Sequence, residues 1–142
     1  MRALLDVNVL IALLDSDHSL HVPATTWFQK HAHHGWASCP ITQNGCVRIM
    51  SSPGYPGAMP VRAVVERLGA AAQTSLHEFW ADDISLLKEA VLDSSRIHGP
   101  RQITDLYLLA LAVKHGGSLA TFDRLIATDA VKGAAKAHLI RL

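Results

Sequence analysis

Ala3-Leu4-Leu5-Asp6-Val7-Asn8-Val9-Leu10-Ile11-Ala12-Leu13-Leu14 places a short apolar run, an acid and a longer apolar run in immediate succession. The triplet Ala3 to Leu5 reads as a buried strand that ends at Asp6. Asn8 is a residue type that caps helices, so Val9 to Leu14 reads as the first helix. The same alternation recurs along the chain. Trp36 to Ser38 is strand-like, and Pro40 opens a helical segment, Ile41 to Met50, in spite of Gly45. Val61 to Ala72 is helical in pattern, as is Ala24 to about His33 after Pro23. Glu78 to Ala81 reads as a strand, followed by a helix over Ile84 to Ser94 with Asp82 or Asp83 as its cap. Thr104 is the expected cap of a strong helix from Asp105 to His115, which Gly116-Gly117 ends. Ser118 to Thr121 and His138 to Leu142 supply two more strands. Strands alternating with helices imply an α/β domain built on a central, mainly parallel sheet.

Composition bounds the rest. With 142 residues, the expectation is one domain over 1–142, large enough to bury a core without staples. Hydrophobic residues make up 49% and charged residues 18%, which excludes a disordered chain. A net charge of +1 excludes a strongly basic nucleic-acid coat, while leaving room for an enzyme that visits nucleic acid. Cys39 and Cys46 form no disulfide or zinc pattern, and they suit a reducing cytoplasm. No apolar run approaches the roughly 20 residues of a membrane span. His31, His33 and His34 precede Gly35 at an expected helix end, where histidine suits the dipole, and no zinc-type ligand set follows them. Trp27, Phe28, Trp36, Phe79 and Trp80 read as core or interface residues.

In open α/β sheets, ligands bind beyond the carboxyl ends of the strands. That rule selects Asp6 after the first strand, Asp123 after Ser118 to Thr121, and Asp105 at a helix start. Asn8 and Thr121 are nearby polar groups. Each acid also has an ordinary structural use: Asp105 on its helix dipole, Asp123 in the turn Thr-Phe-Asp-Arg. If the three converge, like charges about 4 Å apart repel by roughly 4 kcal/mol at an effective dielectric of about 20. Either one acid keeps a proton or a cation resides among them, and an all-oxygen set favours Mg²⁺ or Mn²⁺ over zinc.

Four segments carry a family resemblance over nearly the whole chain. They are Leu5-Asp6-Val7-Asn8-Val9-Leu10, Cys39-Pro40-Ile41-Thr42-Gln43-Asn44-Gly45, Ile103-Thr104-Asp105-Leu106-Tyr107-Leu108-Leu109-Ala110 and Ala120-Thr121-Phe122-Asp123-Arg124. In this order and spacing the chain resembles a PIN-domain ribonuclease, and specifically the VapC toxins of toxin–antitoxin pairs. The resemblance implies a three-layer α/β/α sandwich. It implies a metal-dependent endoribonuclease that hydrolyses RNA phosphodiesters with metal-activated water, leaving 5′-phosphate and 3′-hydroxyl ends. Asp6, Asp105 and Asp123 match the family's metal-holding acids, and Asn8 and Thr121 its accompanying polar positions. The family's middle motif usually carries Glu where this chain has Gln43. The resemblance thereby makes Gln43 a candidate catalytic residue beside the three acids, one that keeps hydrogen-bonding capacity but removes one negative charge. The implied cofactor is Mg²⁺, with Mn²⁺ as a substitute. The implied partners are a VapB-type antitoxin, an RNA substrate and a second copy of the chain, in a prokaryotic cytoplasm. Arg48 and Arg101, close in sequence to the site segments, are the foremost candidates to contact RNA phosphates.

Two other readings compete. Gln43 admits an inactive PIN fold that acts only as a binding module. Asp6-Val7-Asn8-Val9 weakly resembles the nucleophile loop of haloacid-dehalogenase-type phosphatases, which need a second Asp where Asn8 stands.

Overall fold

Strand β1 (Ala3–Leu5) is buried on both faces and pairs in parallel with two neighbours at once. A parallel strand in that position must be apolar on both sides, and Ala-Leu-Leu satisfies this. A computed structural model describes residues 1–142. Its sheet holds β1, β2 (Trp36–Ser38), β3 (His77–Phe79), β4 (Ser118–Thr121) and β5 (Leu139–Arg141) in the order β3-β2-β1-β4-β5. All four pairings are parallel, so the expected mainly parallel sheet is wholly so.

The period of two along each strand builds two cores, one on each face. Leu4, Ala37 and Leu119 face α5 (Ile103–Lys114), in which Leu106 to Ala112 are buried without interruption. Ala3, Leu5, Trp36 and Ala120 face the other layer. There they meet α1 (Val7–Leu14), α2 (His21–His31), α3 (Pro40–Met50) and α4 (Val61–Ala72). The result is the three-layer α/β/α sandwich.

The strand order reverses at β1. Strands β2 and β3 lie on one side of it, and β4 and β5 on the other. The crevice beyond the carboxyl ends of β1 and β4 is therefore the topological switch point, where such sheets receive ligands.

Three local expectations change. Helix α1 starts at Val7, and Asp6 is its cap, with its Oδ1 accepting the Val7 N–H at 2.7 Å. Asn8 thus lies inside the helix, because a single extended residue suffices to turn β1 into α1. Thr104 is not the cap of α5, since a short turn over Pro100–Gln102 leads into that helix two residues earlier than Asp105, at Ile103. No helix forms over 84–94. The Asp93 N–H donates to the Ala130 carbonyl, and the Lys132 N–H donates to the Val91 carbonyl. These bonds to a distant segment replace intrahelical ones, and Leu87 is left 87% exposed.

Candidate active site

Asp6 sits at the switch point because β1 ends there. Only 6% of it is exposed. One carboxylate oxygen caps α1, and the other accepts the Thr121 hydroxyl at 2.7 Å. The Asp123 N–H in turn donates to the Thr121 Oγ1 at 3.0 Å. Thr121, fully buried at the end of β4, thereby ties two acids from opposite ends of the chain into one framework. Asp123 is further held by the Leu125 N–H, which donates to its Oδ1 at 2.7 Å. Asp105 enters from the first turn of α5.

The three acids face one cleft of about 600 Å³, together with Asn8, Asn44, Arg48 and Asp82. Burial pushes the Asp6 carboxyl up, against the hydrogen bonds from Thr121 and Val7, and the charge of Asp123 adds to the rise. Asp105 is pushed up to about 6, first by burial and then by the charges of Asp6 and Asp123. The acids therefore do converge, and without a cation they repel one another.

This donor set suits a hard divalent cation held through oxygen. Asp82 adds a sign of the same kind: its Oδ1 is buried and has no hydrogen-bond partner. No three acidic, histidine or cysteine side chains are gathered tightly enough to enclose an ion alone. A divalent ion in this cleft would need waters to complete its coordination.

Gln43 does not join the acids. Its Nε2 donates to the Ser38 Oγ at 2.9 Å, and that hydroxyl also lies 2.8 Å from the His77 Nε2. It lines a separate hollow beside Val47, Val65 and Leu68. The helical period explains this. Ile41, Asn44, Gly45 and Arg48 share the α3 face toward the cleft, whereas Gln43 and Val47 turn toward α4. Arg48 stands in the cleft wall, and Arg101 lines an adjoining hollow with Asp105 and Asp123. A further hollow of about 400 Å³, lined by Leu10, Phe28, Trp36 and Leu68 among others, contains no ionisable group and offers no hydrolytic chemistry.

Three polar cleft residues escape the sequence reading, Asn44, Asp82 and Thr104. Asp82 could have been found by the rule that selected Asp6, since it stands just beyond a parallel strand. The expected helix after it gave it a capping role that does not exist.

Thr121→Val provides a local test of this framework. Removing the hydroxyl strips a buried carboxylate oxygen of its donor and the Asp123 N–H of its acceptor. The expected loss is about 1–3 kcal/mol of stability, read by urea unfolding at pH 7. A variant as stable as the parent would show that the hydroxyl is not what holds the acids.

Comparison with known proteins agrees with this architecture. The PIN domain family model matches residues 3–129. Ribonuclease VapC44 of Mycobacterium tuberculosis is 54% identical over 142 residues, covering all of both chains. Ribonuclease VapC39 of the same organism is 40% identical over 134 residues, covering 94% of this chain and 96% of that one. Among solved structures, the crystal structure of VapBC2 from Rickettsia felis bound to a DNA fragment from their promoter shares the fold. Its TM-score is 0.55 at 12% identity, with 87% of this chain and 88% of that chain covered. A sheet reversing at β1, acids gathered at that reversal and full-length identity to VapC ribonucleases place this chain in the PIN domain family, within its VapC group.

Proposed function

We propose that the chain is the endoribonuclease toxin of a VapBC-type pair, and that Asp6, Asp105 and Asp123 hold the divalent metal on which cleavage depends. The observation that carries this reading is the convergence of the three acids on one cleft at the sheet's switch point. Membership of a group whose relatives are named ribonucleases supports RNA as substrate.

When bound, Mg²⁺ or Mn²⁺ neutralises charge on a phosphoryl oxygen and makes water a nucleophile at neutral pH. The protein does the rest. Asp6 is held rigid by Thr121 and by the first N–H of α1, so its free edge keeps one orientation. Asp105 is poised to lose its proton near neutrality, so occupancy of the cleft rises with pH. Arg48 in the cleft wall and Arg101 in the adjoining hollow bind phosphates of the RNA near the acids. Asn8 offers a neutral amide on the cleft wall, where a further carboxylate would add repulsion. Gln43 positions Ser38 at the end of β2 and has no part in the reaction.

The partners in this reading are a VapB-type antitoxin, which silences the toxin, and a second copy of the chain. The site of action is the prokaryotic cytoplasm. No helix is long and apolar enough to cross a membrane.

Product ends test the chemistry. The reading requires 5′-phosphate and 3′-hydroxyl termini, and a 2′,3′-cyclic phosphate would overturn it. Arg48→Ala tests the flank. It is expected to raise KM by about 5–10-fold and to flatten the salt dependence of binding, with kcat little changed. A fall in kcat with KM unchanged would place Arg48 at the reacting phosphate instead.

A further inference from the structure

The walls of the cleft differ in charge. The ends of β1 and β4 bring Asp6 and Asp123, and α5 brings Asp105. The α3 wall brings Asn44, Gly45 and Arg48, and no acid. At Gly45 an acid would enter only if Val7 moved aside, because a Cβ there would stand 2.8 Å from the Val7 Cγ2. The remaining wall is the chain just after β3, and it carries Asp82.

Asp82 has little structural employment beyond a contact with the Cys39 thiol. It makes no salt bridge, whereas its neighbour Asp83 pairs with Lys114 at 2.6 Å and lies 3.7 Å from the His115 Nε2. It caps no helix, since none follows. Its Oδ1 is shut off from solvent and has no hydrogen-bond partner, and the carboxylate lies against the Cys39 thiol, a weak donor that burial first, and then the charge and hydrogen bond of Asp82, push up. A carboxylate oxygen buried without a donor costs about 1–3 kcal/mol or more, and a cation in the cleft would offset that cost.

We infer that Asp82 is the fourth metal-holding carboxylate of the cleft, supplied by the segment after β3 in place of an acid on α3, directly or through a water. This rests on the proposal that the cleft holds a divalent metal. Asp82 lines the cleft with Arg48, whereas Asp105 and Asp123 line both that cleft and the hollow of Arg101.

The test is calorimetric titration of Mn²⁺ into the antitoxin-free protein, comparing the parent with Asp82→Asn, Asp82→Glu and Asp83→Asn. Asp82→Asn is expected to weaken Mn²⁺ binding about 10–100-fold, the range typical of groups that order a metal site. Asp82→Glu keeps the charge and is expected to keep most of the affinity. Asp83→Asn, outside the cleft, is expected to match the parent. The melting temperature of metal-free Asp82→Asn should equal or exceed that of the parent, which separates lost metal binding from lost folding. Equal affinity in Asp82→Asn and the parent would overturn the inference while leaving the three-acid reading intact. Equal weakening by Asp82→Asn and Asp83→Asn would overturn it as well, by making the effect structural. A parent that binds no Mn²⁺ would remove both this inference and the metal reading beneath it.

Discussion

Replacing Asp6 by Asn is expected to lower metal-dependent RNA cleavage by about 10³-fold or more, roughly 4 kcal/mol of transition-state stabilisation, and to leave the fold standing. The two effects part because Asp6 has two sets of contacts. Its amide isostere can still accept the Val7 N–H and so still cap α1. The amide nitrogen can donate to the Thr121 Oγ1, which already accepts the Asp123 N–H. What is lost is the buried negative charge. Burial holds the Asp6 carboxyl above its ordinary value, so the folded protein disfavours its charged form at neutral pH. Asp6→Asn should therefore melt at the parent's temperature or above it at pH 7.5 without metal. Cleavage within tenfold of the parent would remove Asp6 from the chemistry. A sharply lowered melting temperature would mean that its charge, not only its shape, supports the fold.

The second large effect concerns pH and metal together. Asp105 is pushed up to about 6 in the folded protein, from an ordinary value of 3.8. Between those two values the folded state holds more proton than the unfolded state, so stability falls as pH rises through the window and levels off above about 6. The carboxyls held low, Asp15, Asp83 and Asp93, act below that window and with the opposite sign. His34 and His77 are also held low, His34 first by the charge of His33 and His77 first by burial. Comparing the parent with Asp105→Asn subtracts all of these. In metal-free protein, Asp105→Asn is expected to gain on the parent steadily from about pH 4 to pH 6 and to keep that advantage above it. Adding metal to 100 times its Kd should then stabilise the parent by about 2.7 kcal/mol, roughly 5–10 °C in a domain of this size, and Asp105→Asn by much less. A difference between the two proteins that is flat in pH, or equal stabilisation of both by metal, would contradict the reading of the acids as a repelling set relieved by a cation.

Asp6, Asp105 and Asp123 are legible in the sequence because each is marked by its immediate neighbours. An acid directly after an apolar triplet, or in the first turn of an apolar helix, lands at the carboxyl edge of a parallel sheet wherever the other elements go. Thr121 belongs with them, being the last residue of a strand. Arg48 is legible less directly, through its place on α3. Gln43 is not legible as a residue outside the cleft, because the face it occupies depends on where α4 packs against α3. Asp82 is hidden by a misleading local pattern. Ile84, Leu86, Leu87, Val91 and Leu92 imitate an amphipathic helix, but the backbone at 91–93 pairs with 130–132 instead. The two stretches are far apart along the chain, and no local window contains both. The shift of the α1 cap from Asn8 to Asp6 has the same origin on a smaller scale. The carboxylate that ends the strand also begins the helix, and the site depends on both roles at once.

The relation between the two roles explains how the cleft stays formed without metal. Every acid in it has a backbone or side-chain donor except Asp105, whose carboxyl retains a proton to higher pH, and Asp82, whose Oδ1 has none. These two are the groups most altered by a cation, one by losing its proton and the other by gaining a partner.

The most direct test of this account is the cleavage of cellular RNA by the purified, antitoxin-free protein in Mg²⁺ or Mn²⁺, in EDTA, and in EDTA followed by excess metal. The account predicts cleavage with metal, none in EDTA, and recovery when metal is restored. Cleavage that continues undiminished in EDTA would contradict it, because the gathered acids would then have no cation to hold.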